Sequence, residues 1–280
     1  MIPFDFDYFR PKTLQEALQI FREQMAMGKK PYYFSGGTEL ITLGRVQLAK
    51  ADAVIDLKKI NEVRACRIDG DHIVLGSCLA LTEVEESNLF PLLTKTASEI
   101  ADHTSRNKIT LGGNIRGGIH YREAVLPFLL ADSTAVIVSA KGVTFKKMSE
   151  VFQGSLRLEN DELLVQLITE RKWASLPFVH VKRRRQWETG YPLVTVAALM
   201  SDNGIRVAVS GLCAFPFRSE KMENGLNSKG TGIEERIKMA LDGIPATVLS
   251  DVEGSAEYRM FVLGNVLRDL VSELEGGIVV

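Results

Sequence analysis

The chain has 280 residues, of which 45% are apolar and 25% charged. That is globular composition, and it excludes a disordered, collagen-like or coiled-coil chain. The 34 basic and 35 acidic side chains leave a formal charge of −1, so charge gives no reason to expect a nucleic-acid or membrane partner.

At ~150 residues per domain the length suggests about two domains. No apolar run reaches the ~18 residues that span a bilayer. The opening Met1-Ile2-Pro3-Phe4-Asp5-Phe6-Asp7 lacks the basic and apolar regions of a signal peptide, so a cytoplasmic protein is expected. Cys66, Cys78 and Cys213 are scattered and odd in number, which fits a reducing compartment and not a disulfide framework. They also fall short of the four thiolates of an iron–sulfur cluster. His72, His103, His120 and His180 show no metal-binding spacing and read as structural or exposed. Any redox chemistry then needs an organic cofactor.

Along the chain, Thr13 and Glu16 form a capping box that opens a helix over 13–27, with Leu14, Ala17, Leu18, Phe21 and Met25 on one apolar face and Gly28 as its stop. Strands are expected at 31–34, 53–56 and 72–76. Thr82 and Glu85 suggest a second capping box, and Pro91 the first turn of the next helix. Residues 109–118 carry four glycines in ten positions, too many for a helix or regular strand. Strands follow at 134–138 and 162–168. The composition shifts at 170–176, where a boundary divides 1–172 from 173–280. Beyond it come strands at 177–183, 193–200, 204–210 and 211–215, then helices near 219–226, 231–242 and 255–274. Strands mixed with segregated helices imply α+β in both parts.

The strongest chemical signal is a pair of glycine loops. Ser35-Gly36-Gly37-Thr38-Glu39-Leu40 follows a strand directly, and consecutive glycines let several backbone N–H groups converge on a phosphate. Thr110-Leu111-Gly112-Gly113-Asn114-Ile115 offers the same chemistry and an Asn amide. Either loop could be an ordinary glycine turn; together they favour a ligand with more than one phosphate, such as a dinucleotide. Neither fits the Rossmann or P-loop pattern. The basic run Lys182-Arg183-Arg184-Arg185 reads as a solvated strand edge, and Trp187 and Tyr191 as core or interface side chains.

The first loop resembles the Ala-Gly-Gly-Thr-Asp/Glu-Leu loop of the FAD-binding subunit of molybdenum hydroxylases, the xanthine dehydrogenase and carbon monoxide dehydrogenase relatives. Arg106-Asn107 with Thr110 to Ile115 resembles that family's second loop. Phe9-Arg10-Pro11, Asp161-Glu162-Leu163-Leu164, Lys182 with Arg185, and Tyr258-Arg259 follow in family order. The resemblance implies a two-part FAD-binding domain of the PCMH type and a smaller α+β domain of the CO dehydrogenase flavoprotein type. It implies that Tyr33, Phe34, Ser35, Gly36, Gly37, Thr38, Glu39 and Leu40 cradle the FAD pyrophosphate, with Thr110, Gly113 and Asn114 on the other side. Glu123 takes the place of an Asp that binds ribityl or ribose hydroxyls, without the usual Ser-Pro before it. Ile100 and Leu164 would pack near the flavin, Leu164 being equally readable as core, and Lys182 would approach from the second domain.

The resemblance also implies non-covalent FAD, because neither loop holds a His or Cys for attachment. It implies a molybdopterin-binding large subunit and a two-cluster iron–sulfur small subunit as partners, NAD as electron acceptor, and a dimer of heterotrimers. A carbon monoxide, nicotinate or aldehyde dehydrogenase complex, a self-sufficient flavin oxidoreductase, and a non-catalytic assembly subunit remain open alternatives.

Overall fold

The computed structural model describes residues 3–185 and 190–276. Trp187 lies outside the described residues. The chain begins with a three-stranded parallel sheet: β1 (Asp7–Phe9), α1 (Leu14–Ala26), β2 (Pro31–Phe34), α2 (Thr38–Arg45) and β3 (Ala53–Asp56), in strand order β1-β3-β2. Thr13 caps α1 by accepting from the Glu16 N–H at 3.1 Å, and the Glu16 carboxylate reaches back to the Lys12 N–H at 2.7 Å. Leu14, Ala17, Leu18 and Phe21 are buried as expected. Met25 is not: it is 45% exposed, and Gln24 is buried in the last turn. Gln24 and Met25 lie three and four residues after Phe21, so both fall near the same face and the spacing alone does not decide which turns inward.

The second sheet has five antiparallel strands: β4 (Cys66–Asp69), β5 (His72–Gly76), β6 (Thr134–Ser139), β7 (Gly142–Lys147) and β8 (Leu163–Glu170), in order β4-β5-β8-β6-β7. Between β5 and β6 run α3 (Leu81–Ser87), α4 (Pro91–Ser98), α5 (His103–Arg106), α6 (Leu111–Arg116) and α7 (Leu126–Leu130); α8 (Met148–Val151) follows β7. The expected Thr82–Glu85 box does not form. The cap is Ala80, whose N–H donates to Glu83 at 2.8 Å, while Thr82 lies buried inside α3. Pro91 does occupy the first turn of α4. The glycine-rich segment 109–118, expected to be irregular, contains α6. Thr110 caps it, and Gly112 packs so closely on Ser77 that a Cβ there would lie 2.7 Å from the Ser77 Cβ. Tertiary packing overrides glycine's low helix propensity.

The third sheet is antiparallel: β9 (Phe178–Arg184), β10 (Pro192–Ser201), β11 (Gly204–Ser210) and β12 (Phe217–Arg218), in order β12-β11-β10-β9. The expected strand at 211–215 is absent. Gly211 takes φ +78° and leads the chain out of the sheet; Cys213 makes an isolated antiparallel bridge to Val248, and pairing with β11 resumes at Phe217. Helices α9 (Glu220–Leu226), α10 (Ile233–Leu241) and α11 (Ala256–Gly276) then cover one face. Val194, Val196 and Ala198 of β10 pack on that side, whereas Ala197 and Leu199 join the core around α3, α4 and α7. Burial on both faces explains why β10 reads as an almost unbroken apolar run. The guanidinium of Arg259 on α11 is fully buried. It donates to the carbonyls of Leu193 and Gly211 and to Asp251 at 2.6 Å.

The architecture is α+β, as expected. Among the described residues no helix is long and apolar enough to cross a membrane.

Candidate cofactor site

The first loop joins β2 to α2. Its Gly37 has φ +72°, a conformation glycine adopts without strain, and a Cβ there would meet the Phe34 ring at 2.2 Å. At Gly36 a Cβ would lie 1.8 Å from the Lys108 carbonyl oxygen, so this position must be bare for the loop to seat against the segment before α6. The first amide bonded within α2 is that of Ile41, which donates to the Gly37 carbonyl at 2.9 Å. The N–H groups of Gly36, Gly37, Thr38, Glu39 and Leu40 donate to no protein acceptor among the described residues. Five successive open amides at a helix N-terminus make a concavity suited to a diphosphate.

The surroundings hold the loop in place. Tyr33 stacks on Phe21 with ring centroids 4.6 Å apart, and burial raises its hydroxyl pKa. Lys58 donates to the Ser35 carbonyl at 2.9 Å and lies 4.5 Å from the Phe34 ring centroid. Its ammonium pairs with Asp56 at 2.8 Å, and Tyr8 donates to the other Asp56 oxygen at 2.6 Å. Burial alone would raise the Asp56 carboxyl; the bonds from Lys58 and Tyr8 reverse this and hold it below its ordinary value.

The second loop is built differently from the first. The Gly112 amide donates to the Ser77 carbonyl at 2.8 Å, the Gly113 amide to Thr110 Oγ1 at 3.3 Å, and the Asn114 amide to the Thr110 carbonyl at 2.8 Å. The amides of Gly112, Gly113 and Asn114 are therefore taken by protein acceptors, and this loop does not repeat the open chemistry of the first. What it offers are side chains. Thr110 and Ser35 share a hydrogen bond of 2.7 Å between their hydroxyls, which joins the loops. Asn114 Oδ1 accepts from the Ala124 N–H at 3.1 Å, and its Nδ2 donates to no protein acceptor among the described residues. Both oxygens of Glu39 accept from the Gly118 N–H, at 3.0 and 2.9 Å, tying α2 to the turn after α6.

Glu123 is buried, and both of its oxygens are engaged. Lys182 donates to Oε2 at 2.7 Å and Thr195 to Oε1 at 2.6 Å. The Lys182 side chain is only 2% exposed, and burial lowers its pKa against the pull of Glu123. The basic run is thus not a solvated edge throughout. Strand alternation turns Lys182 and Arg184 inward toward Glu99, and leaves Arg183 outside. His180 shares that inward face. Its pKa is lowered to about 4 by burial, which outweighs Glu99 at 3.9 Å. His72 and His103 are exposed. Ile100 and Leu164 are buried in the same core as Leu111 and Ile115 on α6. Tyr191 stacks on Tyr121 at 4.7 Å.

Hydrogen bonds therefore gather Ser35, Thr110 and Gly113 at one point and Asn114, Glu123 and Lys182 near a second. Lys58 and Thr195 were not foreseen. Thr195 had a signal, as the single polar residue in Leu193-Val194-Thr195-Val196-Ala197-Ala198-Leu199. Lys58 had none.

An open-amide loop locked to a second glycine loop, within two sheets of this α+β arrangement, is the chemistry of a phosphate-binding cofactor site. The chain belongs to the family of FAD-binding domains in molybdopterin dehydrogenases, whose model matches residues 4–169. It is 26% identical over 222 residues to the nicotinate dehydrogenase FAD-subunit of Eubacterium barkeri, covering 75% of this chain and 72% of that one. It is 24% identical over 280 residues to the carbon monoxide dehydrogenase medium chain of Hydrogenophaga pseudoflava, and 25% identical over 290 to the xanthine dehydrogenase FAD-binding subunit of Escherichia coli O157:H7, each match covering 96% of both chains. A solved structure of carbon monoxide dehydrogenase from Hydrogenophaga pseudoflava superposes with a TM-score of 0.86 at 23% identity, over 99% of both chains. Quinoline 2-oxidoreductase from Pseudomonas putida 86 gives 0.85 at 22%, also over 99% of both chains. These likenesses show the fold. The protein is an oxidoreductase component with an FAD-binding domain.

Proposed function

We propose that this chain is the FAD-binding electron-transfer subunit of a xanthine dehydrogenase-type molybdenum hydroxylase. In this reading electrons come from iron–sulfur clusters of a small partner subunit, pass through non-covalent FAD and leave to NAD. The substrate is oxidised in a molybdopterin-binding large subunit, and the assembly is a dimer of heterotrimers. Residues 1–172 form the FAD-binding part and 173–280 the C-terminal part. The observation that carries the reading is the run of five open amides from Gly36 to Leu40, pinned to Thr110 through Ser35.

Bound FAD supplies the exchange between one-electron donors and a two-electron acceptor. The chain's residues bind and orient it. The Gly36–Leu40 amides take the diphosphate charge, helped by the N-terminal dipole of α2. Asn114 Nδ2 and the Thr110 hydroxyl face the same ligand from the second loop. Glu123 accepts from its sugar or ribityl hydroxyls, and Ile100 and Leu164 form the apolar wall that keeps water from one ring face. Lys182 brings the C-terminal sheet to the site.

The purified chain should show a two-band flavin spectrum, and acid precipitation should leave the yellow colour in the supernatant. Gly36→Ala should abolish FAD uptake, because the added Cβ meets the Lys108 backbone. A colourless wild-type chain that takes up no added FAD would sink the reading. The assembled complex should form NADH from xanthine; a complex that reduces dyes with xanthine but leaves NAD untouched would remove NAD as acceptor.

A further inference from the structure

Thr195 and Lys182 stand directly opposite one another in the antiparallel ladder of β10 and β9. Cross-strand partners project from the same sheet face, so the two side chains leave the C-terminal sheet side by side. Both end on one carboxylate in the glycine-loop half: Lys182 on Glu123 Oε2 at 2.7 Å, Thr195 on Oε1 at 2.6 Å. Thr195 is fully buried, and Glu123 and Lys182 almost so. Lys182 donates a second hydrogen bond, to the Glu99 carbonyl at 2.8 Å. Glu123 is in turn next to Ala124, whose amide holds Asn114 Oδ1 at 3.1 Å.

We infer that Thr195 is a positioning residue of the cofactor site. With Lys182 it forms a two-point clip that fixes the Glu123 carboxylate in one orientation and links cofactor binding to the seating of the C-terminal sheet. The inference rests on the FAD reading above. An ionised carboxylate offers about four acceptor directions. The clip takes one on each oxygen and leaves one on each for ligand hydroxyls. A single lysine would hold one oxygen and let the other swing; the hydroxyl opposite it removes that freedom. The length of Glu, one methylene beyond Asp, suits a carboxylate that must reach across to both strands. Pre-ordering the acceptor in this way strengthens binding without adding a ligand contact.

The test is FAD affinity of the full chain, by titration calorimetry, for wild type, Thr195→Val and Thr195→Ser, with thermal melting of each apo-protein. Valine keeps the shape of threonine and removes the hydroxyl; serine keeps the hydroxyl. Thr195→Val should bind FAD roughly 10-fold more weakly, because the carboxylate is no longer pre-ordered for the ligand and its fixing must come from binding. Thr195→Ser should restore the affinity and the FAD-induced rise in melting temperature. Equal affinity of Thr195→Val and wild type overturns the clip, and so does an equal loss in Thr195→Ser, which would mean that side-chain volume and not the hydroxyl matters. A wild-type chain that binds no FAD overturns the dinucleotide reading, and the clip's role with it.

Discussion

His180 is a titratable group whose surroundings decide how stability follows pH. Its ring is enclosed between β9 and α4, with Glu99 at 3.9 Å and the cations Lys95, Lys182 and Arg184 around it. Burial is the main reason its pKa falls to about 4, and the three cations act in the same direction. The unfolded chain protonates this ring near pH 6.5, while the folded protein stays neutral until about pH 4. The stabilisation is therefore complete above pH 6.5 and is lost as pH falls through that window. Linkage gives about 1 kcal/mol of loss by pH 5.5. Urea midpoints at pH 7 and 5.5 should show that decline in wild type and a smaller one in His180→Leu. Equal declines would mean that His180 is not the group responsible. His120, also lowered by burial, adds a loss of the same sign to both proteins.

Elements sort into those the sequence announces and those it conceals. Helix α1 was legible from Thr13, Glu16 and its apolar stripe, because capping and amphipathicity are local. The edge strands β4 and β7 were not, since every one of their residues is exposed and no alternation of burial marks them. Helix α6 was hidden for the opposite reason. Its glycines argue against a helix locally, but they are what lets α6 lie against Ser77. That makes Thr110 the residue on which α6 depends, as cap and as partner of Ser35. Thr110→Val should cost about 1–2 kcal/mol of stability through the lost cap and bridge. It should weaken FAD binding too, while Thr110→Ser keeps both. A Thr110→Val protein that melts and binds like wild type would show that α6 needs no cap.

For the whole molecule, the contact between the two halves is polar at several points as well as apolar. Asp132, after α7, pairs with Arg206 of β11 at 2.6 Å and with Arg218 of β12 at 2.8 Å. Arg218 pairs onward with Glu223 at 2.7 Å, and Arg206 lies 4.6 Å from the Trp173 ring centroid. Asp132 has φ +46°, which Asn tolerates, so Asp132→Asn removes the charge with little backbone cost. The pairs are partly exposed and screened, so the expected loss is about 1 kcal/mol, or roughly 2–4 °C in melting temperature. The gap from wild type should narrow in 1 M salt, where the Debye length is about 3 Å. A gap that is unchanged by salt would assign the effect to packing.

The sequence by itself determined the α+β class, most of the helices and strands, and the two glycine loops. These rest on periodicity, caps and glycine patterns that act over a few residues. Only the tertiary structure decided what the loops do. The first presents the open amides of a helix start, and it is held against the second because Gly36 seats on Lys108 and Ser35 meets Thr110. In the second, Ser77 takes the Gly112 amide and Thr110 takes those of Gly113 and Asn114. It also decided that Lys182 belongs to a buried clip with Thr195 and Glu123, residues as much as 72 positions apart. Such a contact carries no local signature, because it is fixed by which strands pair and which face of the sheet they turn toward the neighbouring half.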